Sequence, residues 1–251
     1  MLLTKATHSA DFVRRHGLGV EFHVGRPLPE DLIPFVRTVH LPYDSLNLAA
    51  LDEPFRLRSI AELEHALETS LFPGVERMVV HTCGIEIDNG RRVGDHELMI
   101  RSLRELADFA ARYKIVLCVE NMVLRQNLRR FGDLASEWLA LPGEIGRGNV
   151  LLTLDSSHAA SSAAIAADSA ERLRRLDGFL NRPELIGHVH WSDARLTDRE
   201  ALFKDMHLVP GKGDLPRDFH RRIRALDCFK LLEQNSTDAE VEEGLDFIAS
   251  L

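Results

Sequence analysis

The fold class this sequence predicts is α/β: a single (β/α)8 TIM barrel spanning residues 1–251, and three observations predict it. Short apolar runs rich in β-branched residues alternate about eight times with amphipathic helical stretches, and no linker or low-complexity segment intervenes. Runs apolar throughout and flanked by helices describe parallel strands buried beneath a helical cover. A polar, chemistry-bearing residue closes six of the runs, at 40, 81, 120, 155, 190 and 233, so that successive closures lie 35–43 residues apart, close to one strand–loop–helix unit each. Eight such units in 251 residues match a barrel. A doubly wound open sheet is the competing arrangement, but it would not usually aim so many strand ends at one place.

In chain order, Leu2–Thr4 reads as a short first strand, and Ser9 caps a helix through Arg15 that Gly17 stops. Gly19–Phe22 is a second strand, with Pro27 and Pro29 in the loop behind it, and Thr38–Leu41 a third, ended by Pro42. Ser59–Ser70 carries apolar residues at 60, 63 and 67, a helical stripe. Met78–His81 is the next strand, Asp95–Tyr113 the clearest helix, and Ile115–Val119 a β-branched run leading into Glu120-Asn121. Helices over Phe131–Leu141, broken by Pro142-Gly143, and Ala164–Leu180 flank the strand Val150–Leu154, which runs into Asp155-Ser156-Ser157-His158. Ile186–Trp191, a helix over Arg217–Leu226, the strand Lys230–Leu232 and a helix over Ala239–Ala249 complete the chain.

Composition narrows the function classes. A net charge of −8 argues against a mainly electrostatic grip on nucleic acid, although it allows a local basic patch. Three cysteines, Cys83, Cys118 and Cys228, fit neither a CxxC motif nor a disulfide framework, and read as reduced thiols on or near buried strands. The N-terminus lacks the long apolar core of a signal peptide, and no stretch approaches the roughly 18 apolar residues of a membrane span. A cytoplasmic protein is expected, with no membrane partner.

In a barrel, the carboxyl ends of all strands converge on one face. The converging set is His40, His81, Glu120, Asp155, His158, His190, Asp205, His207 and Glu233, five imidazoles and four carboxylates. One divalent ion takes roughly three to six ligands, so nine argue for more than one; mixed nitrogen and oxygen donors suit Zn2+, with Mn2+ or Fe2+ as alternatives. Taken singly, each residue has a plainer reading: a strand-end histidine is more often a hydrogen-bonded structural residue, either glutamate could pair with an arginine, and Asp155 could cap the following helix. Recurrence at six successive strand ends outweighs those readings. His8, His16, His65, His96 and His220 fall on helices or loops and read as surface residues, while His23 could line the site. His188 shares a strand face with His190 and is expected to lie beneath it, near substrate.

With those motifs in hand, the chain resembles the xylose isomerase-like barrel superfamily and, within it, the endonuclease IV (apurinic/apyrimidinic endonuclease) family, from about Thr38 to Asn235. His40 with Tyr43 and Asn47-Leu48 is similar to that family's first histidine motif, and His81-Thr82-Cys83-Gly84 to its His-Pro-Gly strand end. Glu120-Asn121, Asp155-Ser156-Ser157-His158, His190-Trp191-Ser192-Asp193-Ala194, Asp205-Met206-His207 with Gly211 and Gly213, and Glu233 resemble its remaining elements. The resemblance implies a trinuclear zinc site: His40, His81 and Glu120 on one ion, Glu120, Asp155, His190 and Glu233 on the second, and His158, Asp205 and His207 on the third. It also implies catalytic roles for Glu120 and Glu233 and a place for Tyr43 against the substrate. Single-metal sugar isomerases and epimerases of the superfamily keep only Glu120, Asp155, His190 and Glu233.

The chain departs from the family where Met122–Arg130 replaces a Gly-rich segment and where the loop His23–Glu30 is short and weakly basic. Those departures weigh against abasic-site DNA as substrate and leave the metal chemistry intact. Arg125, Arg129 and Arg130 read either as a phosphate grip or, slightly favoured, as a solvated helix start; Lys212 in the turn Gly211-Lys212-Gly213 is a further substrate contact. The leading expectation is metal-assisted hydrolysis of a phosphoester at a sugar-phosphate. The alternative is a mononuclear sugar or sugar-phosphate isomerase or epimerase, and a non-catalytic barrel that binds a metabolite or partner comes third.

Overall fold

A computed structural model describes residues 1–234 and 237–251; Asn235, which the reading above places at the end of the last strand, lies outside the described residues. The strands are β1 (Leu2–Lys5), β2 (Gly19–His23), β3 (Val36–His40), β4 (Arg77–His81), β5 (Ile85–Asp88), β6 (Arg91–Arg92), β7 (Val116–Glu120), β8 (Leu128–Arg130), β9 (Val150–Asp155), β10 (Ile186–Trp191) and β11 (Phe229–Leu232). The helices are α1 (Ala10–Arg15), α2 (Glu53–Thr69), α3 (His96–Ala111), α4 (Ala135–Ile145), α5 (Ser156–Ala163), α6 (Ser169–Gly178), α7 (Arg217–Ala225) and α8 (Asp238–Ala249).

Eight parallel strands close into a barrel in the order β1-β11-β10-β9-β7-β4-β3-β2, the expected (β/α)8 architecture. β1 completes the closure by pairing with both β2 and β11, with Leu3 fully buried between them. Register aligns the strand ends: His23 lies beside His40, His81 beside Glu120, and His190 beside Asp155. A 3-10 turn at Glu30–Phe35 takes the place of a helix between β2 and β3.

The outer layer is built by amphipathic helices. α3 starts where the Asp95 carboxylate accepts the Glu97 and Leu98 amides, and buries Met99, Leu103, Leu106 and Ala110 at helical spacing. α8 opens on a reciprocal capping box between Thr237 and Glu240.

Three expected elements differ. α4 begins at Ala135 and runs through Pro142 to a left-handed Gly146; burial of Trp138, Leu141 and Ile145 on one face outweighs the single helical hydrogen bond that proline removes. The helix expected over Ala164–Leu180 is shorter, α6, which starts only at Ser169 where Asp168 caps it, and a separate helix, α5, precedes the expected range. Met122–Arg130 does not start a helix. β8 pairs antiparallel with β5, which also carries β6, in a small three-stranded sheet outside the barrel order. Among the described residues no helix is long and apolar enough to cross a membrane.

Candidate metal centre

All nine converging residues meet at the carboxyl ends of the barrel strands. Glu120 sits at the middle: its Oε2 lies 3.2 Å from His40 Nε2 and 3.3 Å from His81 Nε2, and its Oε1 lies 3.3 Å from both His190 Nδ1 and His158 Nδ1. His190 Nδ1 is 3.1 Å from Glu233 Oε2 and 4.0 Å from Asp155 Oδ2. His207 Nε2 lies 3.3 Å from Asp155 Oδ2 and 2.7 Å from Asp205 Oδ1, which is itself 3.3 Å from His158 Nε2. The donor atoms thus fall into groups compact enough to hold a cation: His40–His81–Glu120, Asp155–His158–His207, and Glu120–Asp155–His190–Glu233.

The imidazoles are oriented by what their other nitrogens do. His40 Nδ1 is 2.8 Å from the Leu41 carbonyl, and His158 Nδ1 is 2.7 Å from the Asn121 carbonyl. An N–H donated there leaves the Nε2 lone pair facing the carboxylates, the arrangement that metal-ligating histidines use. His190 is turned the other way, with Nε2 3.0 Å from Glu21 Oε1 and Nδ1 facing Glu120 and Glu233.

Asp155 divides its labour in the same manner. Its Oδ1 accepts the His158 amide at 2.7 Å and caps α5, so the plain capping reading holds for that oxygen. Its Oδ2, together with His190 Nδ1, His207 Nε2 and Glu233 Oε2, is buried without a hydrogen-bond partner. Buried polar atoms are almost always satisfied. Four orphaned atoms that are close to one another yet not aligned as hydrogen bonds are what a divalent cation would complete, and two carboxylates with two imidazoles suit such an ion.

Charge shifts the members of the ring in different directions. Burial alone would raise Glu120 and Glu233, but His190 with His81 in the first case, and His190 with His207 in the second, hold both well below the usual carboxylate range. Burial would depress His158, yet Asp155 and Asp205 outweigh it and raise it to about 9. His81 goes the other way, lowered by burial to about 4.

A cavity of about 700 Å3 opens over this ring, walled in part by His23, Tyr43, Cys83, Arg125 and Arg130. Tyr43 stacks on His81 with ring centroids 4.4 Å apart. His23, held open as a lining residue by the sequence, is on the wall and stacks on His40. Arg125 lies on the wall, its guanidinium 3.4 Å from the Phe203 carbonyl.

Several expectations fail on packing. His188 lies beneath His190 in the barrel interior, as expected, but it does not face the cavity: fully buried, it points its Nε2 at Glu21 Oε2, 2.8 Å away. Lys212 is off the cavity wall, and its ammonium pairs with Glu243 at 2.9 Å. The turn that carries Lys212 is structural: Gly211 adopts φ +89°, and a Cβ on Gly213 would fall 2.1 Å from Asp193 Oδ1. Arg129 turns away from the cavity to Asp133, Glu137 and Glu86. His220 is fully buried, its Nδ1 accepting the Trp191 indole N–H at 2.9 Å, and His8 is buried against Asp238. The cysteines are free and buried, as expected.

The residue that sequence reasoning missed is Glu21. It is a fully buried carboxylate in the middle of β2, where it receives the Thr38 hydroxyl at 2.7 Å and contacts both His188 and His190. Burial would raise it, but His188 and His190 hold it well below the usual range. A charge inside the apolar run Gly19–Phe22 was the available signal, since buried acids persist only when paired.

Comparison with known proteins bears on the fold and the family. A D-psicose 3-epimerase of Agrobacterium fabrum is 28% identical over 184 residues, 70% of this chain but 54% of the relative, so the chain spans about half the length of that relative. Among solved structures, the IOLI protein with a binding zinc atom has a TM-score of 0.73 at 16% identity, covering 99% of this chain and 96% of that one. Endonuclease IV from Thermus thermophilus has a TM-score of 0.63 at 21% identity, covering 100% and 99%. Structures of D-psicose 3-epimerases and a D-tagatose 3-epimerase-like protein share the fold as well. A family profile described as xylose isomerase-like TIM barrel matches residues 32–251, and the chain therefore belongs to the xylose isomerase-like TIM barrel family.

Proposed function

We propose that this protein is a metal-dependent sugar epimerase or isomerase acting on the carbon beside a ketose carbonyl, with Glu120, Asp155, His190 and Glu233 holding a divalent ion. One observation carries the reading: the carboxylates of Glu120 and Glu233 flank His190 Nδ1, at 3.3 and 3.1 Å, in a single four-residue cluster open to the cavity. The similarity to an epimerase at 28% identity supports it over the hydrolytic expectation.

A bound divalent ion supplies Lewis-acid polarisation of the substrate's carbonyl oxygen. The chain supplies the proton transfers. One glutamate, held as a carboxylate by its histidine neighbours, takes the proton from the carbon next to the carbonyl, and the C–H electron pair moves into an enediolate double bond. The other glutamate relays a proton taken up from solvent water, to the opposite face for epimerisation or to the former carbonyl carbon for isomerisation, and the first glutamate gives its proton back to solvent. His23, His40 and Tyr43 on the wall are placed to meet sugar hydroxyls.

The test is solvent exchange. Metal-loaded protein incubated with a panel of ketoses in deuterated water should place deuterium on the carbon beside the carbonyl and form the epimer or the isomeric aldose. Absence of exchange across the panel, together with cleavage of abasic-site DNA or of a small phosphodiester, overturns the reading. That second outcome is the phosphoester-hydrolase reading, which the flanking groups His40–His81–Glu120 and Asp155–His158–His207 favour because they offer room for further ions. One metal per chain at saturation accords with epimerisation, and up to three, Zn2+ first among them, with hydrolysis.

A further inference from the structure

The small sheet of β5, β6 and β8 sorts the three arginines that follow Glu120. Arg125 and Leu128 form an antiparallel bridge, so Arg125 and β8 belong to one tight turn. Neighbours on a strand point to opposite sides. Arg129 therefore faces the carboxylates of Asp133, Glu137 and Glu86, while Arg130 faces the cavity. Arg130 is half-buried, and its guanidinium makes no hydrogen bond or ion pair among the described residues. Arg125 makes a single long contact, to the Phe203 carbonyl.

A guanidinium withdrawn from water without a partner is unfavourable, and two facing one cavity are worse. Burial, then the charge of Arg125, accordingly depress Arg130. Most carboxylates on the same wall are engaged elsewhere. Asp52 caps α2, Asp88 accepts from the Asn89 side chain, Asp205 sits between His158 and His207, and Glu120 and Glu233 lie against His40, His81 and His190, which leaves Asp44. The guanidinium pair thus lacks an anion, and a phosphate dianion matches two planar donors in charge and in fork geometry.

We propose that the sugar this cavity takes is phosphorylated, with its phosphate held by Arg125 and Arg130. The proposal rests on the sugar reading of the site but not on the reaction performed there. It gives the three-stranded sheet a role, since that sheet holds Arg130 over the cavity. The cavity, at about 700 Å3, has room for a hexose phosphate.

Calorimetric titration of the metal-loaded protein tests it with three probes: a ketohexose 6-phosphate, the same ketohexose unphosphorylated, and inorganic phosphate. The sugar phosphate should bind about 10–100-fold more tightly than the sugar, the range that charge-assisted hydrogen bonds supply. Arg130→Gln should abolish that preference and leave affinity for the unphosphorylated sugar unchanged. Arg125→Gln, on the exposed side, should reduce it at least threefold, and it keeps the test decisive if Arg130→Gln does not fold. Equal affinity for the two sugars overturns the proposal. So does a preference that survives both substitutions, which would place the anion on the metal, and so does inorganic phosphate binding as tightly as the sugar phosphate. Failure of the deuterium exchange alone leaves these binding ratios untouched, so the two readings fail separately.

Discussion

Two layers of buried polar side chains cross the inside of the barrel, one above the other, and they are built from the same residue types. In the lower layer Glu21 is filled: Thr38 Oγ1 donates to it, His188 approaches at 2.8 Å and His190 at 3.0 Å. His188 Nδ1 is the loose end there. In the upper layer Asp155 Oδ2, His190 Nδ1, His207 Nε2 and Glu233 Oε2 are all without hydrogen-bond partners and face one another. Carboxylate and imidazole content therefore does not mark a site; unspent lone pairs directed at a common space do. His190 belongs to both layers, which makes the lower one the support of the upper.

The largest expected effect breaks the upper layer alone. Glu120→Gln or Glu233→Gln should lower turnover about 10²–10⁴-fold, the usual contribution of a general base, and should also lower the thermal melt of the metal-free protein, because each carboxylate is held by its histidine neighbours. Unchanged turnover would remove both glutamates from the chemistry.

The next strikes the lower layer. Glu21→Gln should weaken divalent-metal affinity about 10–100-fold, as loss of a histidine-orienting carboxylate does elsewhere, read by competition with a chromogenic chelator. Equal affinity with lowered stability would make the lower layer packing and nothing more.

A smaller effect tests the turn behind Asp205 and His207. The Asp193 amide and carbonyl pair with Leu208, and the Asp193 side chain accepts from Ala194, Gly211 and Leu215 amides, so this residue ties the loop down. Gly213→Ala should destabilise by about 1–3 kcal/mol in denaturant melts, as overpacking does, because the new Cβ meets Asp193 Oδ1. Wild-type stability would mean that this loop gives way freely.

The smallest is a pH effect. Burial would raise Asp193, but His220, whose Nε2 lies 3.4 Å from Asp193 Oδ2, together with the Ala194 and Leu215 amides, holds it below the ordinary value. A depressed folded pKa contributes stability that is present above the unfolded value, near 4, and is lost as pH falls through the folded value. Urea melts from pH 6 downward should show Asp193→Asn closing its gap to the wild type below about pH 4. A gap that stays constant with pH would assign the residue a purely steric role.

Much of the site was legible because a barrel turns sequence spacing into spatial convergence. His40, His81, Glu120, Asp155, His190 and Glu233 end successive strands, and closure of β1 against β11 leaves them no choice but to meet. Boundaries were less legible. Pro142 suggests a stop that the burial of Trp138, Leu141 and Ile145 overrides, and three-residue β8 carries no periodicity long enough to read. His220 reads as a helix-surface residue because its partner, the Trp191 indole, comes from a strand 29 residues away.

The sequence by itself determined the parallel barrel and the identities of nine residues at its mouth, because alternation and strand-end position are local properties that the fold merely collects. Only the tertiary structure decided which lone pairs remain free, that Glu21 stands beneath His190, and that Arg130 rather than Arg129 faces the cavity. Those depend on contacts across the barrel interior and between loops, and on which side of a three-residue strand faces in, none of which sequence spacing records.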